Sequence, residues 1–357
     1  MVEMNAVKAI EKRKPAIERS IARAIPRRFD ENSLLSLAGK PRFAFDFHSL
    51  DRALAQPIWD LLDRGGKRWR PALLLMVAEA VGGKKGLKKA KNLVVLSEVI
   101  HEGSLLTDDV EDDSALRRGK PCIHKIYGVD VAVNAGNAMY FLPLRVLREN
   151  EARFDDRTLV KLYEAYAREL TLIHLGQALD IAWHKGWGEP TEQQYLQMCA
   201  FKTGTLARLS AKLGAIAAGG SHAQVEVLGA FAEAVGVAFQ IQDDVLNVSS
   251  SSFGEMKGFG EDIHEGKRTL LVIHAFKVLP PQKARRLRAL LDSHPSDSRR
   301  IREAIALLRE ANAIEYAKAK AREIVSAAWR KADGVLKPSK AKQELKALAD
   351  FLVEREL

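Results

Sequence analysis

Cysteine is almost absent from this 357-residue chain. The two that occur, Cys122 and Cys199, are too few for a disulfide framework and too far apart for a C-x-x-C redox or zinc pair. Both are expected as reduced thiols of a cytoplasmic protein. Also missing is any uninterrupted apolar run of the ~18 residues a membrane helix needs. The basic N-terminus, with Lys8, Lys12, Arg13 and Lys14, is followed by no apolar core of a secretory signal. Alternating β-branched runs closed by Asn-Gly or Asp-Gly turns are lacking, which leaves no convincing sheet. No internal repeat of about 20 to 50 residues occurs either, which excludes solenoids and propellers.

What is present is an ordinary globular composition, 47% hydrophobic and 29% charged, far from the disordered class. Lys+Arg 56 against Asp+Glu 46 gives a formal charge of +10. That balance suits nucleic acid, an anionic membrane or a polyanionic small ligand without ranking the three. Apolar residues recur at spacings of three and four over 71–81, 93–106, 158–179, 225–246 and 301–329, so the spacing predicts helices there and an all-α fold. Pro71 suits a first helical position and Gly82-Gly83 a helix end. The lysine-rich run 84–91 reads as a solvated loop. Breaks at Gly103, Gly119-Lys120-Pro121, 186–190, 249–260 and Pro280-Pro281 are too short for an interdomain linker. One domain is therefore expected over 43–357, behind a basic N-terminal extension, 1–42.

The strongest local feature follows the 93–106 run: Asp108-Asp109-Val110-Glu111-Asp112-Asp113. Asp108 and Asp112 are four apart, so on a continuing helix their carboxylates share one face, a spacing that costs stability unless a cation bridges them. A second pair, Asp243-Asp244, is embedded in the apolar stretch 235–246, where unpartnered carboxylates would be expensive to desolvate. An acidic run on its own is more often a solvated face or a helix cap. Two clusters, one of them in apolar surroundings, favour function. Carboxylates without neighbouring Cys or His ligands suit Mg²⁺, which keeps several waters and bridges protein carboxylates to substrate phosphates.

Three basic groupings would answer such a ligand. Gly65-Gly66-Lys67-Arg68-Trp69-Arg70-Pro71 sets cations just before a helix start, where free N–H groups and the helix dipole favour an anion, and reads as a metal-free phosphate pocket. Arg117-Arg118 follow the first acidic cluster, and in a non-helical segment adjacent side chains diverge, one toward each of two phosphate sites. Lys257 and Lys267 flank the glycine-punctuated stretch 258–266, a loop able to close on a ligand. Taken singly, each group is more often a surface charge.

Taken together, these motifs and their order resemble the trans-type prenyl diphosphate synthases, especially those making geranylgeranyl diphosphate. The resemblance runs from the Gly65 to Pro71 segment through His101-Glu102-Gly103-Ser104-Leu105-Leu106-Thr107-Asp108-Asp109-Val110-Glu111-Asp112 and Arg117-Arg118-Gly119-Lys120-Pro121. It continues in Lys202-Thr203-Gly204, Phe239-Gln240-Ile241-Gln242-Asp243-Asp244 and Glu261-Asp262-Ile263-His264-Glu265-Gly266-Lys267. It implies a bundle of long antiparallel helices around a central cavity, the isoprenoid synthase type I fold, paired as a homodimer. It also implies that Asp108, Asp112 and Asp243 hold three Mg²⁺ ions on an allylic diphosphate, with Mn²⁺ as a substitute. Asp109 and Asp244 complete the two motifs as catalytic residues. Arg117 would touch the same diphosphate, while Gly66, Lys67, Arg70, His101 and Arg118 hold isopentenyl diphosphate without metal. Lys202, Thr203, Gln240, Lys257 and Lys267 would line the allylic side. Two positions depart from the pattern: Asn247 stands where a third aspartate is expected, and Glu102 where an asparagine is expected after His101.

The implied reaction is prenyl transfer: metals and cations stabilise the diphosphate leaving group more in the transition state than before it, and the allylic cation adds isopentenyl units. Ser104, Ile100 and Ser97 lie four, eight and eleven residues before Asp108 on nearly one face, and a helical turn rises ~5.4 Å, roughly an isoprene unit. Gly103 and Ser104 are small, so a product of C20 or longer is expected, with Ile100 or His174 as a floor. Two other readings are a class I terpene cyclase, which would not need a second diphosphate pocket, and a non-catalytic isoprenoid-binding subunit. Peripheral membrane contact for product release is expected, and the basic N-terminal segment either docks on an anionic membrane or caps the dimer. Nucleic-acid binding would rest on net charge alone and is not expected.

Overall fold

The computed structural model describes residues 2–249 and 260–354. Among these the fold is all-α, as the apolar spacing requires; the only strands are Leu116–Arg117 and Lys120–Pro121, paired antiparallel. Helices of at least eight residues are labelled in order: α1 Val2–Ala24, α2 Glu31–Ala38, α3 Gln56–Asp63, α4 Trp69–Ala90, α5 Val94–Glu111, α6 Val129–Phe141 and α7 Asp156–His184. They continue as α8 Glu192–Cys199, α9 Thr205–Ala217, α10 His222–Ser249, α11 Leu270–Val278, α12 Pro281–Asp292, α13 Ser298–Glu310, α14 Ala313–Val335 and α15 Lys340–Glu354.

The chain divides into two compact units. The first comprises Val7–Tyr166 and Leu213–Gly220. Here α1 buries Ile10, Ile17, Ile21 and Ala24, a stripe at helical spacing, and its buried Arg13 donates to Glu79 of α4 at 2.7 Å. Helix α4 begins at Trp69, which places Pro71 third in the helix rather than first. At Gly83 the backbone leaves helical geometry (φ 60°, ψ −151°), as the double glycine predicts. The chain then turns helical again, so the lysine run is a helix and not the loop expected. Gly86 and Ala90 are buried under it while Lys84, Lys85, Lys88 and Lys89 stay exposed, and that buried face is what makes the segment helical. Helices α5 and α6 pack at backbone contact. A Cβ on Gly103 would lie 2.7 Å from the Met139 Cβ, and one on Gly136 would lie 2.8 Å from Thr107 Cγ2. Gly103 is therefore required by helix packing.

The second unit contains Ala167–Lys212 and the chain from Ser221 onward. Its centre is α10 packed on α14, with Phe231 meeting Trp329 edge-on at 5.3 Å. By length and composition α10 could cross a membrane, the only such helix among the described residues. Its buried Leu228, Phe231, Val235, Ile241 and Val245 instead make it the unit's core. The run 301–329, expected as one helix, is two: Asn312 takes a left-handed conformation (φ 51°) that asparagine tolerates better than most side chains, separating α13 from α14.

Candidate active site

Helix α5 carries the first acidic motif to its end. The Asp112 amide donates to the Asp108 carbonyl at 2.9 Å, so helical geometry persists and the two carboxylates share one face. Both are half-buried and reachable from solvent. Asp109 points elsewhere. It is 2% exposed and accepts from Arg117 Nε at 2.9 and 3.1 Å, with Arg117 Nη2 closing a forked pair. Burial alone would lower the Arg117 pKa, but the hydrogen bonds and charge of Asp109 more than reverse it. Burial and then the Asp109 charge push the neighbouring Cys122 thiol up to about 12, so it is no nucleophile.

Arg117 and Arg118 diverge, though because of a turn and not because both are extended as expected. Arg117 and Lys120 are the paired ends of a two-residue hairpin whose central residues, Arg118 and Gly119, both have positive φ (55° and 74°), as a type I′ turn requires. Arg118 turns from the acidic motif to the Gly65-Gly66 segment. Its Nη1 donates to the Gly65 carbonyl, and its Nη2 donates to Glu102 Oε1 at 2.8 Å. Gly66 (φ 152°) allows this, because a Cβ there would lie 3.1 Å from Arg118 Nη2. Arg70, buried in the first turn of α4, lies 3.1 Å from His101 through Nη1 and Nε2. Burial, then the Arg70 and Arg118 charges, hold His101 well below the ordinary histidine range. Since arginine can only donate, Nε2 of the neutral ring accepts. The first unit thus brings together Gly66, Arg70, His101 and Arg118, with Lys67 exposed at the edge.

Arg68, which sequence reasoning passed over, organises this group from beneath. Its side chain is fully buried and donates to Glu18 at 2.7 Å, Glu98 at 2.7 Å and Glu102 at 2.6 Å. The proximity of a basic motif to three distant glutamates has no signal in one-dimensional spacing.

In the second unit, residues 200–204 form a single π-helical turn, a local widening frequent at functional sites. Gly176 permits it: a Cβ there would lie 2.3 Å from the Lys202 amide nitrogen. One turn later on α7, Asp180 accepts from Lys202 Nζ at 2.6 Å. Thr203 donates to Gln240 Oε1 at 2.7 Å, Gln240 Nε2 donates to Asp244 Oδ1 at 2.9 Å, and Tyr195 donates to Asp244 Oδ2 at 2.6 Å. Asp244 is 5% exposed, and burial, then the Asp262 charge, raise it well above the usual carboxylate range. Asp243 beside it is half-buried and reachable. Asn247 accepts the Asp262 amide on Oδ1 at 3.2 Å, so the departure from aspartate leaves a structural bond where a charge was expected. Lys267 pairs with Glu265. Burial holds His184 below the ordinary histidine range, with the Asp180 charge opposing it. Lys257 lies outside the described residues. Asp180 and Tyr195 were missed, although Gly176-Gln177 and Asp180 interrupt an otherwise apolar helical run.

Both acidic motifs therefore show one partition: Asp109 and Asp244 are consumed by buried partners, whereas Asp108, Asp112 and Asp243 are the reachable carboxylates. Among the described residues no three His, Cys, Asp or Glu side chains converge into a ready-made cage. Within each unit the reachable carboxylates are hard oxygen donors of the kind Mg²⁺ takes, one or two at a time together with substrate phosphates rather than as an all-protein shell. The product-length positions lie in the first unit: Ser104 is half-buried, its Oγ donating to the His101 carbonyl at 2.8 Å, and Ile100 and Ser97 are fully buried along α5.

A family model described as polyprenyl synthetase matches residues 51–308. The short chain isoprenyl diphosphate synthase of Methanothermobacter thermautotrophicus is 35% identical over 297 residues, which cover 83% of this chain and 88% of that protein. The geranylfarnesyl diphosphate synthase of Natronomonas pharaonis is 34% identical over 309 residues, with the same two shares, 83% and 88%. Among solved structures, the geranylgeranyl pyrophosphate synthetase from Pyrococcus horikoshii is similar with a TM-score of 0.84 at 29% identity, covering 98% of each chain.

Proposed function

The chain belongs to the polyprenyl synthetase family and is a trans-prenyltransferase with the all-α isoprenoid synthase fold, and from that premise we propose how its residues divide the reaction. It condenses isopentenyl diphosphate with allylic diphosphates to a product of C20 or longer. The observation that carries the assignment is the partition of the aspartates. Asp108, Asp112 and Asp243 would hold Mg²⁺, which when bound supplies positive charge to the departing diphosphate. Asp109 orients Arg117, and Asp244 orients Gln240 and through it Thr203. Lys202, held by Asp180, adds a fixed cation, and the Gln240 carbonyl oxygen is a fixed dipole for the allylic cation. Gly66, Lys67, Arg70, His101 and Arg118 bind the second diphosphate by charge and hydrogen bonds alone, with Arg70 seated on a neutral His101. That second, metal-free set is what a cyclase would not need.

Radiolabelled isopentenyl diphosphate with C5, C10, C15 and C20 primers and Mg²⁺ tests this directly. Elongation that stops when the metal is chelated is expected; no elongation from any primer would remove the assignment. In the same assay Ser104→Phe is expected to shorten the main product, because Ser104 is the first reachable level of α5 above the buried Ile100 and Ser97. An unchanged chain length would refute that geometry.

A homodimer is supported by an exposed apolar set along one stretch: Ile126 (47%), then Val129 (55%), Val133 (38%) and Phe141 (66%) on α6. A monomer mass by sedimentation would remove it. Membrane contact is supported by Lys84, Lys85, Lys88 and Lys89 on α4 together with Lys8, Lys12, Arg19 and Arg23 on α1, all exposed in the first unit. Each such cation is worth about 1 kcal/mol at an anionic surface. Co-sedimentation with phosphatidylglycerol vesicles, but not phosphatidylcholine, is expected and should be lost when the four α4 lysines become glutamine. The buried thiols of Cys122 and Cys199 support a cytoplasmic setting.

A further inference from the structure

We propose that Glu102 is a positioning residue for the metal-free diphosphate pocket: it fixes the guanidinium of Arg118, and Arg118, not Glu102, meets isopentenyl diphosphate. This rests on the assignment of that pocket given above. Helix α5 presents His101 and Glu102 in succession, about 100° apart around its axis. Each receives an arginine from a different segment: Arg70 from the start of α4 lies on His101, and Arg118 from the hairpin donates to Glu102 at 2.8 Å. Two consecutive residues of one rigid element thus set the spacing between two cations that arrive from separate parts of the chain.

Glu102 is completely buried, with Oε1 accepting from both Arg118 and Arg68. Its Oε2 is buried without a hydrogen-bond partner among the described residues. Burying a carboxylate in this way is costly unless nearby cations offset it. The charge of Arg68 does not require it, since Arg68 already has Glu18 and Glu98 at 2.7 Å each. What Glu102 contributes separately is its hold on Arg118. That arginine stands on a hairpin residue with φ of 55°, its side chain is 22% exposed, and its other anchor is the Gly65 carbonyl. A guanidinium has five N–H donors, so two tethers leave three for a phosphate. An asparagine, the residue the resemblance leads one to expect here, is shorter and uncharged.

The test is steady-state kinetics in both substrates on the purified full-length enzyme. Glu102→Met is expected to raise KM for isopentenyl diphosphate about tenfold, the loss of one hydrogen bond to a charged group. KM for the allylic primer and kcat at saturation should move by less than about threefold. Glu102→Gln keeps the shape and an acceptor oxygen and should restore KM to within about threefold of wild type. In an Arg118→Met background, Glu102→Met should add nothing, because the pair acts as one unit. Thermal melts accompany each variant. Should Glu102→Met melt below the assay temperature, Glu102→Asp carries the same test, since a carboxylate withdrawn by one methylene no longer reaches Arg118. An unchanged KM, an equal rise for both substrates, or a full additional effect in the Arg118→Met background would overturn the proposal. A wild-type enzyme with no saturable dependence on isopentenyl diphosphate would overturn the pocket assignment itself.

Discussion

Asp108→Asn is expected to lower kcat about a thousandfold, the size of losing roughly 4 kcal/mol of transition-state charge stabilisation, while leaving the unfolding midpoint almost where it was. The reason is its setting: Asp108 is half-buried and reachable on the α5 face it shares with Asp112. Asp109→Asn, one residue along, should behave differently. It removes the charge opposite a buried Arg117, and breaking a buried pair from one side costs about 3–5 kcal/mol, so the unfolding midpoint should fall together with activity. Turnover assays paired with urea titrations separate the two. If Asp108→Asn melts as early as Asp109→Asn, or retains wild-type turnover, the partition of the motif into metal-holding and arginine-holding aspartates is wrong.

Arg68→Met is expected to give the largest loss of stability of any single change discussed, at least about 3–5 kcal/mol. The substitution would leave Glu98, essentially inaccessible, facing Glu102 without its guanidinium, while Glu102 would keep only Arg118. Burial by itself would lower the Arg68 pKa, but the charges of Glu98 and Glu102 raise it, which is the same attraction seen from the arginine. Methionine matches the aliphatic stem and so isolates the charge. A urea midpoint equal to that of the wild type would mean that Glu98 does not depend on the Arg68 charge in the folded protein, and the ionic description of that buried pair would have to be abandoned.

Helices were legible because apolar spacing is a local signal that survives folding, and α5, α7 and α10 lie where the spacing puts them. Asp108, Asp112 and Asp243 stood out because charge in apolar or crowded company is costly and needs a reason. The sequence could not separate Asp243 from Asp244, or Asp108 from Asp109, since the distinction is made by Tyr195, Gln240 and Arg117 arriving from elsewhere. Arg68 was hidden for the same reason: its partners are 50, 30 and 34 residues away. The lysine run misled because exposed charge says nothing about the buried side of a helix, where Gly86 and Ala90 sit. The break at Asn312 depended on one backbone angle, which composition does not encode.

The backbone contact between α5 and α6 at Gly103 and Gly136 bears on how enzymes of different product size could arise from this scaffold. A motif-bearing helix clamped glycine to glycine has no slack: it can neither slide nor tilt to accommodate a longer hydrocarbon tail. In the proposed reaction, extra reach must come from trimming individual side chains such as Ile100 and not from moving the frame. Product size would then evolve in discrete increments, one substitution at a time, with the chemistry upstream left undisturbed.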